Sequence, residues 1–100
     1  MKIVGFDHKG VAALYNTGKT SKGLDPKAAK KIKTQLSALA TAQHPNDLRG
    51  MWDTHELTPN YPGFWAMDVI GSFRLTFHFD GQSITKVNYL DYHGKSNYNL

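Results

Sequence analysis

Three consecutive residues near the end of the chain, Asp91, Tyr92 and His93, carry side chains that can move protons. They are a carboxylate, a phenol and an imidazole, and each can donate or accept a proton in one of its ionisation states. A second candidate histidine, His55, comes earlier in the chain, and Arg74 offers a planar fork of donors that fits phosphate oxygens. These side-chain types are the set that cleavage of an RNA phosphodiester requires when no metal takes part.

Such a cleavage needs a base to take the proton of the 2′-hydroxyl, an acid to protonate the leaving 5′-oxygen, and a cation to stabilise the phosphate. Histidine suits the first two roles because its ordinary pKa of about 6.5 makes both forms accessible near neutrality. Tyrosine, with an ordinary pKa near ~10, fits a donor or orienting role better. The pattern leaves open which of His55 and His93 is the acid and which is the base.

Each candidate also has a simpler interpretation. His55 alone can be a half-exposed strand residue, and Arg74 alone can be one partner of a cross-strand ion pair. Strict strand alternation places Asp91 and His93 on one face and Tyr92 on the other, so the three converge only if the strand end twists or bulges. Three further histidines receive no chemical role: His8 and His44 at predicted helix ends, and His78 on a strand.

The charge of the chain is placed unevenly. The first 33 residues hold eight lysines against two aspartates, a net +6, whereas the remaining residues sum to −2, for +4 overall. This asymmetry predicts a polyanionic partner, with a solvated helix face as the alternative. The lysines predicted to contact RNA are Lys19, Lys22, Lys27, Lys30, Lys31 and Lys33.

Length and composition indicate one folded domain over residues 1–100, with 40% hydrophobic and 20% charged residues. The absence of cysteine excludes disulfides, thiolate metal sites and a cysteine nucleophile. No histidine pair has close helical spacing and no acids cluster, so we expect no metal site and no cofactor. We read no signal peptide and no membrane span, and therefore expect a cytoplasmic protein.

The first half of the chain is predicted to be helical. One helix fits residues 7–15 with Asp7 as its N-cap, after a short apolar strand at the N-terminus. A second helix is predicted from Pro26 to about Ala42, because Asp25 is a natural N-cap and Pro26 suits the first helical position. Apolar residues recur at helical spacing along it, which predicts an inward stripe with lysines outward.

The second half reads as strands. Strands are predicted over residues 51–57, 64–70, 73–79 and 83–92, separated by a Pro- and Gly-containing loop, a Gly71-Ser72 turn and an Asp80-Gly81 hairpin. The fold class is therefore α+β: a short strand and a two-helix hairpin packed on an antiparallel sheet of three to five strands. The face opposite the helices presents Arg74 and His78.

Several short motifs in this order resemble the HigB toxins, host-inhibition toxins of the RelE/ParE superfamily from type II toxin–antitoxin systems. The resemblance covers residues 6–93, and no single motif carries it alone. The motifs are Phe6-Asp7-His8-Lys9-Gly10, Thr17-Gly18, Leu36 to Ala42, His55 ahead of Gly63-Phe64-Trp65, Arg74-Leu75-Thr76-Phe77, and Asn88-Tyr89-Leu90-Asp91-Tyr92-His93.

The resemblance implies a microbial RNase-like fold and a metal-independent endoribonuclease that cleaves mRNA in the ribosomal A site. It implies a cognate helix-turn-helix antitoxin, similar to HigA, that neutralises the toxin. It assigns catalysis to His55, Asp91, Tyr92 and His93, and transition-state stabilisation to Arg74. A non-catalytic toxin of the same superfamily, binding a target such as DNA gyrase, is the alternative.

The chain departs from the family pattern at two places. Many members have His-Pro-Leu-Lys-Gly where this chain has His55-Glu56-Leu57-Thr58-Pro59, so a lysine is lost and an acid gained beside His55. Family chains often stop near the final histidine, whereas this one continues through residues 94–100 as a C-terminal extension. The first departure predicts less positive charge near the scissile phosphate.

Overall fold

The computed structural model describes residues 1–21, 23–92 and 100. The predictions for Lys22, for His93 and for residues 94–99 of the extension therefore lie outside the described residues. The elements are β1 (Lys2–Ile3), α1 (Lys9–Thr17), α2 (Pro26–Thr41), β2 (His55–Glu56), β3 (Phe64–Asp68), β4 (Phe73–Phe79) and β5 (Ser83–Asp91), with a 3-10 turn at Pro45–Leu48.

The strands form a five-stranded sheet in the order β1-β5-β4-β3-β2. Strands β2 to β5 form an antiparallel meander. The predicted α+β class, with two helices on a sheet, is confirmed, but the sheet is mixed because β1 pairs with β5 in parallel. A two-residue strand carries no sequence signal for its direction, so this pairing was not foreseen.

One hydrophobic core lies between the helices and one face of the sheet. Trp65, Met67, Leu75 and Phe77 face the helices and are at most 3% exposed. The apolar stripe predicted on α2 is buried against them, and its members are Ala28, Ala29, Ile32, Leu36 and Leu39. No helix in the described part of the chain is long and apolar enough to cross a bilayer.

Helix α1 begins two residues later than predicted, and His8 rather than Asp7 is its N-cap. The backbone N–H groups of Asp7 and His8 both donate to the carbonyl of Val87. Residues before the helix therefore still run along β5, and this long-range pairing fixes where the helix can begin.

Helix α2 begins where the sequence predicts. Asp25 Oδ1 accepts from the backbone N–H groups of Lys27 and Ala28, and Pro26 occupies the first turn. Two α2 side chains then reach the end of β3: Gln35 Nε2 donates to the Asp68 carbonyl at 2.7 Å, and Lys31 Nζ donates to the Val69 carbonyl at 2.6 Å. Helix α2 thus supports the sheet by polar contacts as well as by packing.

The strand predicted over residues 51–57 is wrong for its first half. The strand is confined to His55–Glu56, and Trp52 and Asp53 adopt left-handed φ angles of 52° and 49°. Non-glycine residues rarely adopt this conformation, and alternation of apolar residues gives no warning of it.

Strand β5 contains a one-residue bulge at Lys86, which has a left-handed φ of 53°. Before the bulge Thr85 pairs with His78, and after it Asn88 pairs with Thr76. The extra residue reverses the alternation, so Val87 and Tyr89 point towards the helices while Asn88 and Leu90 point away.

Candidate functional site

His55 lies at the edge of the sheet on the face away from the helices, which we call the open face. Its cross-strand partner is Ala66, and the same row continues through Thr76 and Asn88. Ala66 and Thr76 are fully buried, so the accessible polar side chains of this face lie at its rim. The His55 side chain is 41% exposed and therefore accessible.

The imidazole of His55 is held by the backbone two residues earlier. Its Nδ1 lies 2.6 Å from the carbonyl oxygen of Asp53, and the Asp53 carboxylate is farther away at 4.0 Å. A carbonyl only accepts, so this contact requires the proton on Nδ1. Neutral His55 then presents the lone pair of Nε2, which no hydrogen bond within residues 1–21 and 23–92 occupies.

Arg74 is committed to structural contacts. Its Nε lies 2.8 Å from Oδ1 of Asp68, its cross-strand partner, and Nη1 donates to the carbonyls of Gly71 and Phe73 at 3.1 Å. The cross-strand ion pair raised as an alternative from the sequence is therefore present. Only Nη2 makes no hydrogen bond within the described residues, so Arg74 can offer a phosphate one terminal nitrogen without giving up these contacts.

Asp91 and Tyr92 lie on opposite faces of the sheet, as strict alternation predicts. Asp91 pairs with Phe73 on the helix side of the sheet, and its carboxylate accepts a hydrogen bond from the Ser72 hydroxyl. Tyr92 follows Asn88 and Leu90 in the alternation and so belongs to the open face. Its backbone N–H extends the ladder by donating to the Ser72 carbonyl at 2.8 Å. The bulge at Lys86 decides which face each of these two residues occupies.

His55 is separated across the sheet from the other described candidates. His55 is on β2 and Arg74 on β4, about 10 Å apart across the sheet at ~4.8 Å per strand. From β2 to Asp91 on β5 the same spacing gives about 14 Å across the sheet. His55 and Arg74 thus lie two strands apart on the open face, where a surface can contact an extended ligand.

Two supporting residues were missed by the sequence reasoning. Asp53 holds His55 through a carbonyl, and Asp68 holds Arg74 through its carboxylate. The first has no sequence signal, because every residue carries a carbonyl. Asp68 lies near the end of a predicted strand, six residues before Arg74 across a Gly-Ser turn, and that spacing is a usable signal for a cross-strand ion pair.

The three histidines without a chemical role have structural ones. His8 Nδ1 caps α1 by accepting from the Val11 N–H, and His44 Nδ1 accepts from the Asn46 N–H at the 3-10 turn. His78 packs edge-on against Phe64 and covers Gly63, where an added Cβ would lie 2.6 Å from its Nε2. Burial lowers the pKa of His8.

The lysines predicted to bind RNA differ in their surroundings. Lys19, Lys27, Lys30 and Lys33 are exposed. Lys31 is half-buried and uses its ammonium group on the Val69 carbonyl. Its contact stabilises the fold, so it is a poor candidate for a phosphate contact. Lys33 also reaches the carbonyl of Gly18, at 3.4 Å, but stays exposed.

Comparison with known proteins identifies the family. The model of the HigB-like toxin family, described as RelE-like toxins of type II toxin–antitoxin systems, matches residues 4–93. The chain therefore belongs to the HigB-like toxin family. The resemblance read from the sequence motifs is confirmed.

This HigB-like chain is 34% identical over 92 residues to a protein of Proteus vulgaris named endoribonuclease HigB, covering 91% of the chain and 99% of that relative. Its fold is similar to a YoeB dimer structure from Staphylococcus aureus, with a TM-score of 0.60 and 19% identity over 92% of this chain and 97% of that one. The structural match supports the fold of the chain.

Proposed function

We propose that this HigB-like toxin is a ribosome-dependent endoribonuclease that cleaves mRNA in the ribosomal A site and so inhibits translation. Its near full-length similarity to a protein named endoribonuclease HigB carries the proposal. A cognate helix-turn-helix antitoxin, similar to HigA, would neutralise it, as membership of a toxin–antitoxin family implies.

In the proposed reaction the 2′-hydroxyl attacks the adjacent phosphate, and the bond from phosphorus to the 5′-oxygen breaks without a metal. His55 and His93 are the proton-transfer residues, and Asp91 and Tyr92, which precede His93 in the chain, orient or donate. Arg74 places one nitrogen near the phosphate, where it stabilises the charge that develops in the transition state. The outward Nε2 of His55 supports its place in this set.

The proposal is tested in a translation extract by mapping mRNA ends with primer extension. The wild-type protein should generate new 5′ ends within codons at the A site. His93→Gln and His55→Gln should bind ribosomes with unchanged affinity and lose cleavage by at least about 100-fold, the usual contribution of one general acid or base.

His78→Gln is the matched control, because His78 is also an open-face histidine but contacts Phe64 and Gly63. It should cleave at close to the wild-type rate. Native-rate cleavage by His93→Gln would show that the catalytic assignment is wrong.

One observation favours the alternative of a non-catalytic toxin. Arg74 is already paired with Asp68, and Thr58 stands where many family members carry a lysine, so neither of these two positions supplies an unpaired positive charge near His55. If wild-type protein produces no new mRNA ends but still arrests growth, a binding target such as DNA gyrase becomes the leading function. A gyrase supercoiling assay with the purified toxin then tests whether gyrase is the target.

A further inference from the structure

The turn before β2 is unusual because two successive non-glycine residues, Trp52 and Asp53, have left-handed φ angles. Such a conformation costs on the order of 1–2 kcal/mol per residue for L-amino acids, and it persists only where surrounding contacts determine it. The hydrogen bonds of this turn show which groups the conformation positions.

Each carbonyl from Met51 to Asp53 has a specific partner. The Met51 carbonyl accepts from both the N–H and the hydroxyl of Thr54, at 3.0 and 2.7 Å, and Thr54 is 4% exposed. The Trp52 carbonyl accepts from the Asp68 N–H at 2.8 Å. With the first two carbonyls fixed in this way, the third points at Nδ1 of His55, 2.6 Å away.

The turn is also tied to the rigid part of the fold. Asp68, which holds the Trp52 carbonyl, is itself held through its own carbonyl by the fully buried Gln35 of α2. The Asp53 carbonyl is therefore positioned by a chain of hydrogen bonds that runs from the core to the edge of the sheet. A residue on a mobile loop would not provide such a fixed acceptor.

We propose that the left-handed Trp52–Asp53 turn is a positioning element, and that the Asp53 carbonyl holds the His55 proton on Nδ1. In the neutral ring Nε2 of His55 is then the acceptor, and His55 is the base that takes the 2′-hydroxyl proton. This assignment of a role to His55 rests on the proposed function, but the tautomer itself does not. The Asp53 carboxylate is 74% exposed and 4.0 Å from Nδ1. It therefore affects the position of the His55 proton less than the Asp53 carbonyl does.

Long-range ¹⁵N–¹H spectra of the imidazoles test the tautomer directly. They are recorded in mildly alkaline buffer, and His55 is assigned by comparison with His55→Gln. The Nδ1–H form should exceed the Nε2–H form by roughly tenfold, the ratio that a hydrogen bond of ordinary net strength gives. Comparable populations, or an excess of Nε2–H, would overturn the proposal.

Three variants separate the carbonyl from the side chain. Asp53→Gly and Asp53→Asn keep the carbonyl and should keep the Nδ1–H excess, because glycine adopts positive φ freely and asparagine tolerates it. Asp53→Val disfavours positive φ and should bring the two tautomers towards equal populations. Loss of the excess in Asp53→Gly and Asp53→Asn would assign the effect to the carboxylate and overturn the proposal, as would an unchanged ratio in folded Asp53→Val.

Cleavage assays on the same proteins keep the two proposals distinct. Asp53→Gly should cut mRNA at close to the wild-type rate, and Asp53→Val should bind ribosomes normally but cut about tenfold more slowly, in step with its tautomer ratio. Wild-type protein with the predicted tautomer but no cleavage would refute the proposed function alone. Wild-type protein that cleaves RNA with the opposite tautomer would refute this inference alone.

Discussion

His8 shows how one side chain can link the stability of the fold to pH. Its Nδ1 accepts the hydrogen bond that caps α1, and its ring lies edge-on to Tyr89, 5.9 Å between centroids. Burial lowers the pKa of His8 below its ordinary value of 6.5, so the folded chain favours the neutral ring. Protonating Nδ1 would also remove the acceptor that the cap requires.

This environment predicts a loss of stability in mild acid. Below about pH 6.5 the unfolded chain binds a proton at His8 that the folded chain resists, so the free energy of unfolding should fall as pH drops through the folded pKa. His8→Asn keeps a good N-cap and cannot titrate. Urea denaturation at pH 7, 6 and 5 should show a shallower decline for His8→Asn than for wild type. Parallel curves for the two proteins would contradict the prediction.

Tyr89, beside His8, illustrates why one residue of the closing motif is structural. Its ring stacks on Phe73 at 4.9 Å, and its pKa is raised by burial and then by the nearby carboxylates of Asp25 and Asp91. It therefore remains a neutral phenol on the helix side of the sheet. Successive residues of this motif thus point alternately towards the core and towards the open face.

Helix α2 carries two adjacent lysines with different tasks. Lys30 is exposed, whereas Lys31 donates to the Val69 carbonyl just after β3. Lys31→Met should lower the free energy of unfolding by about 1–2 kcal/mol, because it removes a charge-assisted hydrogen bond to the backbone. Lys30→Met should change it by less than about 0.5 kcal/mol. Urea denaturation compares them, and an equal loss in both variants would rule out a special role for Lys31.

The bulge in β5 places a lysine where glycine would be unstrained. Lys86→Val should lower the free energy of unfolding by about 1–2 kcal/mol, since a β-branched residue is strongly disfavoured at a φ of 53°. Lys86→Gly should change it by less than about 1 kcal/mol, because relief of strain offsets the greater freedom of the unfolded chain. Thermal or urea unfolding gives both values. A Lys86→Gly variant less stable than Lys86→Val would contradict the bulge conformation.

Elements differ in how far local sequence determined them. The start of α2 was predictable because Asp25 and Pro26 act within one turn. The start of α1 was missed by two residues because it depends on Val87, far along the chain. Turns at Trp52 and Lys86 were missed because they use left-handed backbone without glycine. Long-range pairing and unusual backbone conformations are what local patterns omit.

At the scale of the whole molecule, positive charge lies on the helical side and at the α1–α2 connection, while the candidate residues lie on and around the sheet. Four of the lysines predicted to bind RNA are exposed in the structure: Lys19, Lys27, Lys30 and Lys33. One protein can therefore dock on a polyanion with one surface while another surface meets the strand to be cut. This separation of the lysines from the candidate residues follows the uneven charge along the sequence.

The division predicts a steep effect of salt on ribosome affinity. If each of the four exposed lysines contacts one phosphate, the slope of log affinity against log salt concentration should be about −3. Lys30→Met should reduce its magnitude by about 0.7, whereas Lys31→Met should leave it unchanged. Ribosome binding measured between low and physiological salt gives these slopes, and a flat wild-type response would exclude the lysines as the docking surface.

The candidate site was only partly predictable from the sequence. The partly exposed strand position of His55 and the place of Arg74 on the open face agree with what the sequence predicts. The pairing of Arg74 with Asp68 was foreseen only as a general alternative, and the faces of Asp91 and Tyr92 depended on the unforeseen bulge. Catalytic roles for His55, Asp91, Tyr92 and His93 stay predictions until the variants are measured.

The bulge at Lys86 also bears on how this segment can change in evolution. The one extra residue of the bulge determines which side chains after it face the helices and which face away. Deletion of any single residue between Lys86 and Tyr92 would therefore turn the side chains that follow it to the opposite sides of the sheet. Gaps here should therefore come in pairs, or be matched by a compensating loss of the bulge. A sequence alignment shifted by one position in this segment would match core residues with surface residues, even if the aligned residue types are similar.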